Sequence, residues 1–172
     1  MRYLIFSLGS KLLALSGDKV QEVIKLALLG PAPGKVYMGS VPWRGKIIAI
    51  LRPEALGAEN ANPGFAVVTD VSGIPVGFPA DRAISITDAE TKEPAPPGSE
   101  EWLSGMIGKQ RAWVIDPDRV ITKPELGEAA LALGEEEFLR FCAFQLSVIA
   151  ERRGSKRLRR LALELEKELK GK

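Results

Sequence analysis

The spacing of apolar residues at the start of the chain predicts a β-hairpin. Leu4, Phe6 and Leu8 recur at every second position, which is the period of a strand. Residues 11–15 are again mostly apolar, and the Gly9-Ser10 pair between the two segments is typical of a turn.

The next segment has a different spacing, which favours a short helix. Val20, Val23 and Ile24 are three residues and one residue apart, so they would share one face of a helix. Asp18 precedes them and belongs to the residue types that cap helix N-termini. We therefore predict a helical segment after Asp18.

Further apolar segments indicate additional strands up to about residue 121. Turn-forming residues interrupt them, for example in the Pro42-Trp43-Arg44-Gly45 segment. Turns that recur about every 8–12 residues leave no room for crossover helices, so they favour a sandwich or a barrel. The predicted strands are 36–41, 46–51, 65–71, 74–78, 83–86 and 112–115.

From Pro124 onward the apolar spacing changes to intervals of three and four, which predicts helices. Gly154 and Ser155 interrupt this pattern as a helix end followed by a new N-cap would. We therefore predict a helical extension over 123–172 that contains two amphipathic helices. The residues that recur at this spacing are Phe138, Phe141, Cys142, Gln145, Val148 and Ile149 in the first, and Leu158, Leu161, Leu165 and Leu169 in the second.

The leucine stripe of the second predicted helix needs another helix to cover it. The covering helix can belong to this chain or to a partner, because paired helices use leucine stripes flanked by charges. Self-association through the C-terminal helices is therefore one expectation.

The composition excludes most catalytic chemistry. The 172 residues contain no histidine and one cysteine, so a histidine base, a Ser-His-Asp triad, a histidine zinc site and an internal disulfide are excluded. Asp116 with Asp118 is better explained as a capped turn, and Glu100 with Glu101 as solvated charge. Phosphate-binding glycine motifs are also missing from the sequence. We predict no catalytic site, no cofactor and no metal site.

Positive charge is concentrated near the C-terminus. The net charge is +2, but residues 151–172 hold nine Lys or Arg and four Glu, and the first 150 residues carry −3. A barrel that binds nucleic acid through this basic helix is therefore the alternative function. A solvated helix face explains the cluster better, because residues 151–172 contain no aromatic residue to stack on bases.

No segment is predicted to insert into a membrane. The apolar stretch 138–150 is shorter than the roughly 20 residues of a membrane span, and it contains Arg140. The N-terminal segment could open a signal peptide, but Lys11 interrupts it and its alternation favours a strand. A single cysteine also fits the reducing cytoplasm.

Six segments, in the correct order, resemble the CheW family of chemotaxis coupling proteins. The most characteristic are Val20-Gln21-Glu22 and the segment 39–48, which contains Arg44-Gly45. The resemblance covers about residues 3–122. The matching segments are 3–9, 19–24, 39–48, 65–68, 73–81, and 102–105 followed by 114–121.

The resemblance implies a mainly β fold in which two small five-stranded barrels share one hydrophobic core. The CheW-like domain would span 1–122, with halves at about 1–56 and 65–122. The resemblance also implies a cytoplasmic adaptor without catalysis. Family members bind the cytoplasmic helical tip of a transmembrane chemoreceptor and the regulatory domain of the histidine kinase CheA, so that receptor state reaches the kinase.

Five residues are predicted to lie at partner contacts. Val20, Glu22, Gly39 and Arg44 match family motifs, and they could supply apolar area, close backbone approach and complementary charge. Their structural alternatives are a core position for Val20, a bulge at Gly39 and an internal Glu22–Arg44 ion pair. Trp43 is the fifth, because an aromatic residue beside a cation in a turn is typical of an interface anchor.

The sequence departs from the family pattern at three places. Arg52 lies where an aspartate is common, Pro42-Trp43 replaces a polar-aliphatic pair, and residues 123–172 extend beyond the usual core. These differences bear on which partner is bound. A chemosensory branch that controls type IV pili therefore fits as well as flagellar control.

Overall fold

The computed structural model describes residues 1–90, 92–109, 111–132 and 134–171. Strands occupy most of the chain up to residue 115, and helices follow. The strands are β1 (Arg2–Leu8), β2 (Lys11–Ser16), β3 (Val20–Lys25), β4 (Tyr37–Trp43), β5 (Lys46–Leu51), β6 (Phe65–Val71), β7 (Ile74–Ala80), β8 (Arg82–Asp88), β9 (Leu103–Ile107) and β10 (Ala112–Ile115). The helices are a 3-10 turn (Pro53–Leu56), α1 (Pro117–Val120), α2 (Lys123–Ala132), α3 (Glu135–Arg153) and α4 (Lys156–Lys170).

The strands form two five-stranded sheets. The first sheet has the order β8-β1-β2-β10-β9, and the second has the order β3-β6-β7-β5-β4. Pairing is antiparallel except between β2 and β10 and between β5 and β7. The predicted fold class, two five-stranded β units followed by helices, is confirmed. In the described part of the chain the edge strands do not pair with each other, so the sheets are not closed barrels.

The two sheets do not coincide with the predicted halves 1–56 and 65–122. The first sheet combines β1 and β2 with β8, β9 and β10, whereas the second takes β3 to β7. The division into halves assumed that strands pair within their own stretch of sequence. Pairing between distant strands depends on tertiary packing, which a local pattern does not encode.

A shared hydrophobic core lies between the sheets. Leu4, Phe6 and Leu8 of β1 enter it from the first sheet, and Val67 and Phe78 enter it from the second. Successive strand residues point to opposite faces, so the alternate side chains of each sheet form a separate smaller cluster. Those clusters are Tyr3, Ile5, Ala14, Ile107, Ala112 and Val114 in the first sheet, and Val41, Trp43, Ile48, Ile50, Ala66 and Val68 in the second.

The predicted N-terminal hairpin is confirmed. Strands β1 and β2 pair antiparallel, with Leu8 opposite Lys11 across the turn. Gly9 has a φ of +57°, a conformation that glycine adopts without steric cost. The backbone N–H of Gly9 also donates to the Asp81 carboxylate at 2.7 Å, which ties this turn to the β7–β8 connection.

The predicted helix after Asp18 is wrong, because the segment forms strand β3 and pairs with β6. The register shifts between Val20 and Glu22, so Gln21 is an extra residue in the strand. Such a bulge interrupts the two-residue period. Val20 and Val23 therefore lie three positions apart in the sequence, which is also the separation of two residues on one face of a helix.

The C-terminal extension contains one helix more than predicted. The break at Gly154 and Ser155 is confirmed: Gly154 has a φ of +62°, and Ser155 Oγ accepts a hydrogen bond from the backbone N–H of Leu158. Helix α2 was missed because its short alanine- and glycine-containing sequence has no clear apolar stripe. None of the described helices is long and apolar enough to span a membrane.

Tyr37 attaches the extension to the second sheet. Its side chain is fully buried, and its hydroxyl donates to the backbone carbonyl of Glu125 in α2 at 2.7 Å. Burial raises the pKa of the Tyr37 hydroxyl above its ordinary value, so it remains a hydrogen-bond donor. A second attachment is the cluster in which Phe141 of α3 and Ala132 of α2 pack on Ile47.

Asp118 of α1 links this helix to two of the turns between strands. Its carboxylate accepts hydrogen bonds from Ser72 Oγ at 2.8 Å and from Lys19 Nζ at 3.1 Å. The hydrogen bond from Ser72, together with Lys19, holds the pKa of Asp118 below its ordinary value. The neighbouring Asp116 caps α1 by accepting from the backbone N–H of Asp118, which confirms the predicted capped turn.

We expect Asp118→Asn to change the pH dependence of stability at acid pH. The lowered pKa means that the carboxylate stabilises the native state above the unfolded-state pKa of about 3.9, and that this contribution is lost as the pH falls through the lower native value. The difference in Tm between the native chain and the variant should therefore be largest above about pH 5. A difference that stays constant from pH 7 to pH 2.5 would contradict this expectation.

We expect Tyr37→Phe to destabilise the chain by about 1 kcal/mol, because it removes a buried hydrogen bond between β4 and α2. Urea unfolding measures this loss. Tyr3→Phe is the matched control, since the hydroxyl of Tyr3 donates only to the Sδ of Met1, a weak acceptor, among the described residues. Equal losses in the two variants would show that the Tyr37–Glu125 bond does not attach the extension.

Candidate functional site

Three of the five predicted contact residues form one cluster on the second sheet. Glu22 lies on β3 and Trp43 on β4, and these strands are the two opposite edges of the sheet. The Glu22 Oε2 atom accepts a hydrogen bond from Trp43 Nε1 at 2.9 Å and another from Arg44 Nη2 at 3.2 Å. A single carboxylate therefore connects the two edges by side-chain bonds where backbone pairing is absent.

Arg44 lies in the two-residue turn that joins β4 to β5. Trp43 pairs with Lys46 across this turn, and Arg44 and Gly45 have φ angles of +48° and +73°. Positive φ at both central positions is the geometry of the type I′ hairpin turn, whose twist matches that of the strands. The side chain of Arg44 is mostly exposed, so its charge is presented to solvent.

Trp43, the predicted interface anchor, is mostly buried. Its side chain is only 9% exposed and belongs to the hydrophobic cluster of the second sheet. The Arg44 guanidinium lies 4.6 Å from the centre of the Trp43 ring, within the range of a cation–π contact. Trp43 therefore orients Arg44 and Glu22, and its ring leaves little area for a partner.

Strand β3 presents an exposed edge next to this cluster. Gln21, Glu22, Val23 and Lys25 are all exposed, and Val23 is an apolar side chain with 38% of its surface accessible. Val20 is half-buried and packs on the shared core, so only part of it can contact a partner. Val23 was missed as a site residue because the helix prediction assigned it to a buried face.

Gly39 is needed for packing inside the chain. A Cβ atom at this position would lie 2.9 Å from the carbonyl oxygen of Gly30 and 2.9 Å from the Cβ of Leu29. The neighbouring residue Ser40 forms an isolated β-bridge with Gly30. The close backbone approach predicted for Gly39 is therefore made by residues 29–30 of the same chain, and Gly39 itself is buried.

The first sheet has an exposed edge of its own. Strand β8 is exposed along most of its length, and Ile84 and Ile86 lie on it with 38% and 68% of their side chains accessible. Polar neighbours such as Arg82, Ser85 and Thr87 reduce the tendency of such an edge to aggregate. The strand was predicted, but its exposure was not. The alternation of isoleucine with polar residues was the available signal.

The sequence of the chain matches a known family model. The CheW-like domain model covers residues 2–125.

The chain belongs to the CheW-like domain family.

The resemblance found in the sequence is thereby confirmed, and it identifies the chain generally as a chemotaxis coupling adaptor. The family model ends at residue 125, so α3 and α4 lie outside the CheW-like domain.

The solved structures that resemble this chain include a CheW scaffolding protein. The scaffolding protein TtCheW from Thermoanaerobacter tengcongensis superposes with a TM-score of 0.62 at 20% sequence identity. The match covers 70% of this chain and 91% of TtCheW. No curated protein matches the chain significantly.

Arg44 is exposed and Trp43 is mostly buried, so substitutions of the two residues should differ in their effect on stability. We expect Arg44→Asn to change the unfolding free energy by no more than about 1 kcal/mol, because an exposed ion pair contributes little and asparagine tolerates positive φ. Trp43→Phe should cost more, roughly 1–3 kcal/mol, since it leaves a small cavity and removes the donor to Glu22. Denaturant unfolding of both variants tests this order, and an equal or larger loss for Arg44→Asn would make Arg44 a structural residue.

Proposed function

We propose that the chain is a non-catalytic adaptor that couples transmembrane chemoreceptors to a CheA-type histidine kinase in the cytoplasm. The match of residues 2–125 to the CheW-like domain supports this proposal. The lack of histidine is compatible with it, because such an adaptor needs binding surfaces and no acid–base catalyst. The signal received and the response controlled, flagellar or pilus-based, depend on the partners.

Two exposed edges supply the two surfaces that an adaptor requires. One is the β3 edge with Glu22, Val23 and the Arg44 turn, and the other is the β8 edge with Ile84 and Ile86. They belong to different sheets, so each can be occupied without using the residues of the other. A stable interface of about 1,200–2,000 Å² would extend beyond each edge to the neighbouring loops.

The β3 edge fits a contact in which charge determines orientation. Arg44 and Glu22 lie side by side on it, and Trp43 and the turn geometry hold the guanidinium in place. Preordered charges of this kind contribute to specificity and to the association rate. Val20 and Val23 add apolar area beside them, and Gly39 contributes by letting residues 29–30 pack closely on β4.

We expect one substitution on each edge to weaken binding of one partner only. Binding of the isolated kinase regulatory domain and of a receptor-tip fragment, both from the same organism, is measured by calorimetry. Arg44→Glu should weaken one of the two contacts by about tenfold, because it reverses the exposed charge and opposes Glu22. Ile86→Ser should weaken the other by a similar factor, because it removes exposed apolar area.

Lys109→Glu is the matched control for charge reversal, since Lys109 is exposed in the loop between β9 and β10. It should leave the contact that depends on Arg44 unchanged. If neither partner binds the native chain at high micromolar concentration, the adaptor function is wrong. If Arg44→Glu and Ile86→Ser weaken the same contact, the assignment of two separate edges is wrong.

A further inference from the structure

The α3–α4 hairpin presents a surface that the CheW-like domain does not use. Helix α3 packs on the second sheet through Phe138 and Phe141, whereas the principal neighbour of α4 is α3. The two helices are antiparallel, because only Gly154 and Ser155 separate them. Most of the surface of α4 is therefore free to contact another molecule.

The contact between the two helices buries small residues and leaves larger ones accessible. Ala143 and Ala150 of α3 and Ala162 of α4 are buried. Ile149 precedes Ala150 and Leu161 precedes Ala162, so in an antiparallel pair both side chains turn to the same face of the hairpin. Ile149 is 37% exposed and Leu161 is 43% exposed, which leaves an apolar strip on that face.

This strip continues along both helices. Leu158 and Leu165 of α4 are half-buried and lie three and four residues from Leu161, on the same side of the helix. Leu146 of α3 lines an open groove together with Cys142 and Ile149, and residues of β3 and β4 form the opposite wall of this groove. The face therefore has the apolar character of a helix-packing surface, and the residues that the structure describes cover it only in part.

The charges on α4 are segregated along its length. Residues 156–162 contain four Lys or Arg and no acidic residue, whereas residues 163–170 contain three Glu and two Lys. Only Arg160 and Glu164 form an ion pair within the described part of this helix. The cationic half lies at the helix N-terminus, where the helix dipole disfavours positive charge.

The base of the hairpin carries charges of both signs. Glu136 and Glu137 lie in the first turn of α3, where both pair with Arg140. Glu136 also lines a groove with Glu166 and Lys170 near the end of α4. The hairpin therefore has a basic tip and a more acidic base. When a second hairpin lies antiparallel to the first, the basic tip of each copy lies beside the more acidic base of the other.

We propose that two copies of the chain associate through this face, with their α4 helices antiparallel. A two-fold axis at the level of residue 163 along the helix sets Leu161 of one copy against Leu165 of the other. The same axis brings Arg157 to the level of Glu168 of the second copy. Each basic half then meets an acidic half, and the apolar strip is covered.

Other occupants fit this face less well. A nucleic acid would match the basic half, but its phosphates would be repelled by the three glutamates of 163–170 and would leave the leucine strip uncovered. A membrane surface would meet the same glutamates, and α4 has no aromatic residue to anchor it. The dimer does not depend on the proposed adaptor function, because α3 and α4 lie outside the matched domain.

We expect the full chain to sediment as a dimer at micromolar concentration, and we expect charge substitutions to weaken and restore the dimer in a defined pattern. Arg157→Glu alone and Glu168→Lys alone should each raise the Kd of the dimer by tenfold or more. Each substitution places like charges opposite each other at both of the symmetry-related contacts. The Arg157→Glu/Glu168→Lys double variant should recover it, and so should an equimolar mixture of the two single variants. A merely structural role of these residues would not produce recovery.

Two exposed leucines provide the matched apolar test. Leu161→Ser should abolish the dimer, whereas Leu163→Ser should not, because the two positions point to opposite sides of α4. Both side chains are exposed, so both variants should fold, which circular dichroism checks. A chain that remains monomeric at about 100 μM would overturn the proposal, and so would a dimer insensitive to Leu161→Ser. Retention of a labelled oligonucleotide by a monomeric chain at low salt would assign the basic half to nucleic acid instead.

Discussion

The apolar contact between the two sheets is the interaction on which the rest of the structure depends. Each sheet offers one face to the shared core, through side chains such as Phe6 and Leu13 on one side and Val67 and Phe78 on the other. An open sheet in water would leave that face exposed, and the edges of these sheets carry no backbone pairing between them. The two sheets therefore stabilise each other, and neither is complete as an independent unit.

The candidate site follows from the incomplete closure of the second sheet. Because β3 and β4 remain edges, the Glu22 carboxylate can reach the indole and guanidinium groups of the opposite edge. The hydrogen bonds hold charged groups in fixed positions at the surface, where they remain accessible. The ion pair between Glu22 and Arg44 is an internal contact, which was the structural alternative for these two residues. The pair is also exposed, so it is compatible with a role in binding a partner.

The sequence allowed most of the strands and the family to be predicted, because the two-residue period and the turn residues are local signals. It failed at Val20–Lys25, where a bulge at Gln21 imitated helical spacing. It also failed to predict that β1 and β2 join β8, β9 and β10, since pairing across about a hundred residues has no local signal. For the candidate site, the sequence singled out Glu22, Trp43 and Arg44, which the structure brings together, and their role in binding a partner stays a prediction. The burial of Trp43 and the packing role of Gly39 depend on contacts between distant segments, which have no local signal.

The strand order of the first sheet has a consequence for synthesis of the chain. Strands β1 and β2 are made first, yet β1 pairs with β8, and β2 pairs with β10 near residue 113. A two-stranded hairpin alone is marginally stable, so β1 and β2 must wait for their later partners until most of the domain has left the ribosome. Strands β3 to β7 are contiguous and can assemble earlier. A translation pause before β10 would leave the apolar face of the hairpin unprotected, and a chaperone that binds extended apolar segments would find its target there.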